Sequence, residues 1–408
     1  MMPESAAAPI SDSPSASAVH RHAADLVRIY ELPSKGRRIP AMEAVRGLAV
    51  VLVFLVHFDQ LIASLLPNHS LSRNILHWAG EMGHSGVDLF FLLSGYLIYG
   101  LVRSGKRSVP DFLARRVQRI YPTFFVILAS YIVYMLLVPS QSKIPHATGA
   151  ALLYLAANAM LLPGLFAITP IITVAWSLSY EVFYYAALPA LYLVARMRRW
   201  NRTARVTFFV GLALAYCAYS VKYWNTAVPG ILLNPGQHVR LIMFVAGILV
   251  YEVVSAKALR FRISRRREFA VALLAGCVVL GIPGLPSGTP AAVPALMLFV
   301  AFGLVCACSL GDETGLLATA FSFTPLRCLG NMSYSYYLIH AVGVHLTRGA
   351  MVRAFPISPA LVWSVLPVCF AITWLASTAL FLLVEKPLSF ARPAISSRLD
   401  PVPTPETT

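Results

Sequence analysis

The chain has 408 residues, 58% of them apolar and only 12% charged. Soluble domains carry roughly 25% charged residues, so the composition excludes an ordinary soluble enzyme and points to a polytopic membrane protein. The net charge of +16, from 33 Lys and Arg against 17 Asp and Glu, would suit nucleic acid in a soluble chain, but in one this apolar it suits basic cytoplasmic loops.

Residues 1–40 open with a Ser/Ala/Pro-rich run and then gather Arg21, Arg28, Lys35, Arg37 and Arg38, with no apolar core before the first long span. That pattern predicts a disordered cytoplasmic tail and not a signal peptide. Residues 41–388 are expected to form one all-α transmembrane bundle. Runs apolar and long enough to cross about 30 Å of hydrocarbon fall at 43–66, 84–102, 120–139, 171–195, 206–222, 238–255, 268–285, 291–310, 329–349 and 359–384. An eleventh run, 148–163, is shorter and closes with Pro163-Gly164. Residues 389–408 are Pro-rich and polar and read as a second disordered cytoplasmic tail.

Basic residues in short loops orient a membrane protein. If the first helix runs outward and 148–163 does not cross, 26 of the 33 Lys and Arg lie inside; if it does cross, the two densest basic loops move outside. The expectation is therefore ten helices with both termini cytoplasmic, and 148–163 as a re-entrant or interfacial segment. The charge reports topology, and nucleic acid is not expected as a partner. All six cysteines lie in or beside apolar runs, without the spacing of a metal or redox pair, and read as small apolar residues; no metal site is expected.

Ionisable groups inside a span cost about 2.5–3.5 kcal/mol each on insertion scales, which makes each a functional candidate. The first helix holds Arg46, His57 and Asp59. Arg46 and His57 are eleven residues apart, which puts them on one side of the helix and about 16 Å apart along it. A snorkelling Arg and a packing His are the plainer reading. Asp88 enters the second helix from the outside at a depth close to that of His57. A carboxylate bonded to one imidazole nitrogen would raise the basicity of the other. Asp88 and Asp59 compete for that role, and capping of the helix start is the alternative for Asp88.

The run FLARRVQRIYP at 112–122 clusters Arg115, Arg116 and Arg119 where the third helix leaves the cytoplasm. Arginine forks match phosphate oxygens; anchoring to anionic lipid is the alternative. The fourth helix carries WSLSYE at 176–181, with Trp176, Ser177 and Tyr180 around a mid-span Glu181, followed by Phe183, Tyr184 and Tyr185. Aromatic belts sit at interfaces, so a collar at the midplane suggests a substrate pocket. In the ninth helix Ser333, Tyr337 and His340 share one polar face; His340 suits either packing or a functional role.

Taken in order, Arg46 with His57, SGVDLFFLLSGYLI at 85–98, FLARRVQRIYP, WSLSYE, NMSYSYYLIH at 331–340 and the closing Glu385-Lys386-Pro387 resemble the integral-membrane O-acyltransferases called acyltransferase family 3. The resemblance spans nearly the whole chain. It implies ten helices and transfer of an acyl group, commonly acetyl from acetyl-CoA, to a hydroxyl of a cell-envelope glycan, a lipid-linked sugar or a related metabolite. It also implies a bacterial inner membrane. Acyl-CoA would be a substrate, with no cofactor bound. Carried over by position, His57 would be the catalytic imidazole, with Asp88 and Glu181 matching pocket positions. Arg46, Arg115, Arg116 and Arg119 would meet acyl-CoA, and Trp176, Ser177, Tyr180, Tyr337 and His340 would line the acceptor side. Tyr96 and Val182 depart mildly from the family pattern. His57 would act as general base or as an acyl carrier. A proton-coupled secondary transporter is the rival reading, since buried His, Asp and Glu also make proton relays; the two halves lack the matching repeat many transporters show.

Overall fold

The structure is a computed structural model that describes residues 28–31, 39–223, 238–256 and 263–390. Most of both expected tails lies outside these residues. The described piece of the first tail is docked: Tyr30 is buried, its hydroxyl lies 3.0 Å from Thr378 Oγ1, and Lys386 Nζ donates to the Ile29 carbonyl at 2.7 Å.

The regular structure of the described residues is helical, in the order α1 (Pro40–Leu61), α2 (Leu71–Gly83), α3 (Ser85–Ser104), α4 (Val109–Leu137), α5 (Thr148–Ala159), α6 (Trp176–Val194) and α7 (Arg202–Lys222). After these come α8 (Ile242–Val254), α9 (Arg265–Gly281), α10 (Ala292–Gly311), α11 (Leu316–Ala320), α12 (Thr324–Asn331), α13 (Ser333–Ala354) and α14 (Pro359–Leu380), which runs into a wide π-helical segment, Phe381–Ser389. The starts have local causes. Ser70, Ser108, Asn201 and Ser358 each accept a bond from the amide three residues on, and α1, α4 and α14 have proline in the first turn, where no amide donor is needed.

Ten spans were expected, and among the described residues seven stretches are long and apolar enough to cross a membrane: 40–65, 71–104, 109–137, 202–222, 265–284, 292–311 and 359–389. The other three expected spans are present as helices α6, α8 and α13, which do not qualify on length and composition. Helix α8 has only 13 residues, extended by a 3-10 turn at Val239–Leu241. Helices α6 and α13 have the length, at 19 and 22 residues, but they carry the Ser, Tyr, His and Glu side chains singled out above, and those lower their hydropathy. The 148–163 run forms one helix of 12 residues, about 18 Å by helical rise and too short to cross. It ends in left-handed backbone at Leu161 and Gly164.

Close helix approach organises the core. A Cβ at Gly95 would fall 2.1 Å from the Phe244 carbonyl oxygen, and one at Gly247 would fall 2.0 Å from that of Leu92. Only glycine lets α3 and α8 touch backbone to backbone, the small-residue packing of membrane helices. The contact also seats Phe244, whose ring stacks between Phe91 and Tyr184 at centroid distances of 4.7 and 4.2 Å. The same device joins α1 to α12, where a Cβ at Gly330 would lie 1.7 Å from the Glu43 carbonyl oxygen. The six cysteines are free, and all but Cys277 are buried.

Gly247→Val is expected to destabilise the fold by about 1–3 kcal/mol or more, the cost of overpacking a filled contact. It should lower the detergent-solubilised melting midpoint and the yield of monodisperse protein. Gly276→Ala, where no atom lies within 4 Å of the added Cβ, should leave both unchanged.

Candidate active site

A cavity of about 420 Å³ opens among α1, α3, α4, α6 and α13, with Phe390 at its edge. That is the size of a small-ligand pocket. Arg46, Arg116 and Arg119 bring three cations to its lining, and Glu181 faces them. Ser94 Oγ donates to Glu181 Oε1 at 3.0 Å and the Tyr185 hydroxyl donates to the same oxygen. With both bonds on Oε1, the carboxylate is oriented and its second oxygen is left for a ligand. Glu385 stands behind Arg119. It is completely buried and lies 3.8 Å from the Arg119 guanidinium, while its Oε2 accepts from the amide of Ser335 at 3.0 Å and from its hydroxyl at 2.6 Å. Arg119 also lies over the Phe390 ring at 4.7 Å, and Arg116 over those of Phe112 and Tyr185 at 5.5 and 5.7 Å. These cation–π contacts hold the guanidinium planes.

On the α6 and α13 side, the Tyr337 hydroxyl donates to the Val174 carbonyl at 2.7 Å and lies 2.6 Å from Ser177 Oγ. Its single proton goes to the carbonyl, so Ser177 donates to Tyr337. Ser333 and Tyr334 complete this wall.

The cavity thus gathers Arg46, Arg116, Arg119, Ser177, Glu181, Tyr185, Ser333 and Tyr337 of the residues singled out from sequence. It does not gather Arg115, which turns to Asp111 at 3.3 Å on the surface of α4, at the edge of the face that carries Phe112, Arg116 and Arg119. Trp176 and Tyr180 pack behind the cavity lining: their rings meet edge to face at 5.8 Å, and the Tyr180 hydroxyl lies 2.8 Å from His238 Nδ1.

The carboxylates weighed as partners for His57 are engaged elsewhere. Asp88 pairs with Arg240 at 2.8 Å, and the same guanidinium nitrogen donates to the His84 carbonyl at 2.9 Å. Asp59 pairs with Arg73 and lies 3.2 Å from His77 Nδ1. What lies against His57 is His340, with ring centroids 4.8 Å apart and planes tilted by 46°. His340 is fully buried, stacks on Tyr336, and its Nδ1 lies 2.9 Å from the Tyr336 carbonyl. A carbonyl can only accept, so Nδ1 carries the proton and Nε2 presents a lone pair, which has no partner among the described residues. The His340 ring is 6.0 Å from that of Tyr337. His57, His340, Tyr337 and Ser177 therefore form a polar file from α1 to the cavity.

Sequence reasoning missed Ser94, Glu385 and Arg240 as site residues. The signals were present but weak: Ser94 sat inside the 85–98 motif without standing out, and Glu385 read only as part of a closing motif. The long-range partner Arg240 had no sequence signal.

The family comparison agrees with the resemblance carried by the motifs. The model of the acyltransferase domain matches residues 39–378. The chain belongs to acyltransferase family 3. Among its relatives, the peptidoglycan O-acetyltransferase OatA of Listeria monocytogenes is 25% identical over 76% of this chain and 50% of its own length. The acyltransferase MdmB of Streptomyces mycarofaciens is 28% identical over 87% of this chain and 93% of its own. The exopolysaccharide production protein ExoZ of Rhizobium meliloti is 27% identical over 68% and 83%. The chain thus spans about half the length of the peptidoglycan relative and nearly all of the Streptomyces one. No solved structure matches it.

The three motif arginines are expected to differ sharply. Arg116→Ala and Arg119→Ala should each lower acyl transfer at least tenfold, while Arg115→Ala should leave it within about twofold, since an exposed i,i+4 pair is worth well under 1 kcal/mol. Transfer rates of the purified variants at matched folded yield check this.

Proposed function

We propose that the protein is a membrane O-acyltransferase that crosses the membrane ten times with both termini in the cytoplasm. It moves an acyl group, acetyl in the first instance, from acyl-CoA to a hydroxyl of a cell-envelope glycan, a lipid-linked sugar or a related metabolite. A bacterial inner membrane is the expected host. The observation that carries this reading is the cavity itself: three arginines and one oriented carboxylate, joined by a file of hydroxyls to a pair of imidazoles.

A sugar hydroxyl is a weak nucleophile near neutral pH and needs a base as it attacks. In the proposed step His57 takes the hydroxyl proton while the oxygen bonds to the thioester carbonyl carbon. The carbon–sulfur bond then breaks, and the proton returns to the leaving sulfur, so that ester and free thiol are the products. General base catalysis of this kind supplies about 10²–10⁴-fold. His340 positions His57 and offers its Nε2 lone pair, the role first sought for Asp88. Arg46, Arg116 and Arg119 draw the anionic donor into the cavity. Glu181, Ser177 and Tyr337 face the acceptor. Arg46 and His57 are about 16 Å apart along α1, and a donor whose reactive thioester stands at the end of a long, slender arm fits a path of that length.

Membranes holding wild-type or His57→Ala protein, incubated with labelled acetyl-CoA and host envelope extract, provide the test. Label should enter alkali-labile esters only with the wild type. Ordinary labelling by the variant would remove His57 from the mechanism. Proton-coupled uptake without acyl-CoA consumption would replace the enzyme reading with a transporter. His340→Gln, which keeps an amide in place of the ring, should lower kcat about tenfold or more with little change in KM for acetyl-CoA, and should shift the pH profile of kcat.

A further inference from the structure

A second cavity, of about 660 Å³, lies where α3 turns into α4 and α6 ends. Its lining includes Arg103, Lys106, Arg107, Arg196, Arg198 and Arg199, and no carboxylate. Arg103 is shared with the buried Glu252 at 3.7 Å. None of the other five forms an ion pair among the described residues. So dense a set of unmatched cations in a concave site raises the local potential for an anion well above that of a flat basic surface.

The backbone is built to present them. Helix α3 stops at Gly105 in the left-handed conformation, φ +60°, and a Cβ there would sit 3.1 Å from Arg198 Nη2, so the turn and the arginine are packed together. Arg196 is itself left-handed at φ +48°, a conformation side chains other than Gly, Asn and Asp seldom adopt. The fully buried Met197 anchors the turn between Arg196 and Arg198.

The cavity also abuts the reaction site. Phe112 lines the basic cavity and packs edge-on against Tyr185 at 6.3 Å; Arg116 covers both rings; and Tyr185 and Arg116 line the central cavity. Along α3, Arg103 stands nine residues from Ser94, about 14 Å by rise, on the side away from Asp88. The order along the bundle is basic cavity, aromatic wall, central cavity, imidazole pair.

We propose that the basic cavity seats the phosphate-bearing end of acyl-CoA, its 3′-phosphate and pyrophosphate, while the pantetheine arm passes the Phe112–Tyr185–Arg116 wall and delivers the thioester to the central cavity. Arginine forks suit bidentate phosphate contact, and the ring faces of Phe112 and Tyr192 on the cavity lining suit an adenine. This rests on the acyl-CoA reading above and assigns the donor's recognition to residues outside the motif arginines. A phospholipid headgroup shares the phosphate chemistry, and the test separates the two.

Equilibrium binding of labelled acetyl-CoA and of acetyl-3′-dephospho-CoA to the full-length protein in detergent is the decisive measurement. Wild type should prefer the 3′-phosphorylated donor. Arg198→Glu with Arg199→Glu should weaken acetyl-CoA at least tenfold and erase the preference, and the milder Arg198→Gln with Arg199→Gln, judged on monodisperse protein, should do the same in part. Unchanged binding and preference in both variants would overturn the site while leaving the acyl-CoA reading intact. Loss of co-purifying phosphatidylglycerol with acetyl-CoA binding unchanged would overturn it in favour of a lipid headgroup. Failure of the wild type to bind any acyl-CoA would overturn both the site and the reading on which it rests.

Discussion

Three arginine side chains share one cavity inside an apolar helix bundle, and much of the surrounding structure answers the cost of keeping positive charge there. A charge taken out of water is tolerable only when paired and hydrogen-bonded. Glu181 supplies one counter-charge at the cavity wall and Glu385 a second behind Arg119. Glu385 reaches its place because α14 widens into a π-helical segment over Phe381–Ser389, with Pro387 inside it. Such wide turns recur at functional sites because they re-aim side chains that a regular helix would direct elsewhere. Ser335 then fixes Glu385 with two bonds, so the counter-charge is held as firmly as the charge it faces.

The same economy separates the two ends of the molecule. Toward the start of α3, Asp88 is matched by Arg240 and Asp59 by Arg73, leaving His57 in contact with another imidazole in place of a carboxylate. At the opposite end, Glu252 gathers Arg205 at 2.7 Å, Arg103 and the Tyr99 hydroxyl, and stitches α3, α7 and α8 beneath the basic cavity. The polar face of α13 links these worlds, since Ser333 and Tyr337 line the cavity while His340 meets His57.

The glycine contacts explain how a bundle with so many polar groups stays assembled. Lipid tails are as apolar as leucine side chains, so burying apolar surface gives little drive for helices to associate within a bilayer, and close packing must supply it. The α3–α8 and α1–α12 approaches fix α1 and α3 relative to the rest. Those two helices carry Arg46, His57 and Ser94, so the geometry of the site depends on backbone contacts that no side chain could make.

Sequence by itself determined the helical membrane class and singled out Arg46, Arg116, Arg119, Ser177, Glu181 and Tyr337, which line the cavity. Apolar runs, capping residues and charge asymmetry act locally, and the face shared by Ser333, Tyr337 and His340 follows from helical period alone. The shared side of Arg46 and His57 was legible for the same reason, as was a 148–163 run too short to cross. Tertiary structure alone decided who meets whom. That His340 and not Asp88 lies against His57, that Asp88 answers to Arg240 some 152 residues away, that Arg115 leaves the cavity while Arg116 enters it, and that Glu385 returns to Arg119 all depend on how distant helices cross. Periodicity places a side chain on a face, but only the packing of that face against another determines which charge it must satisfy.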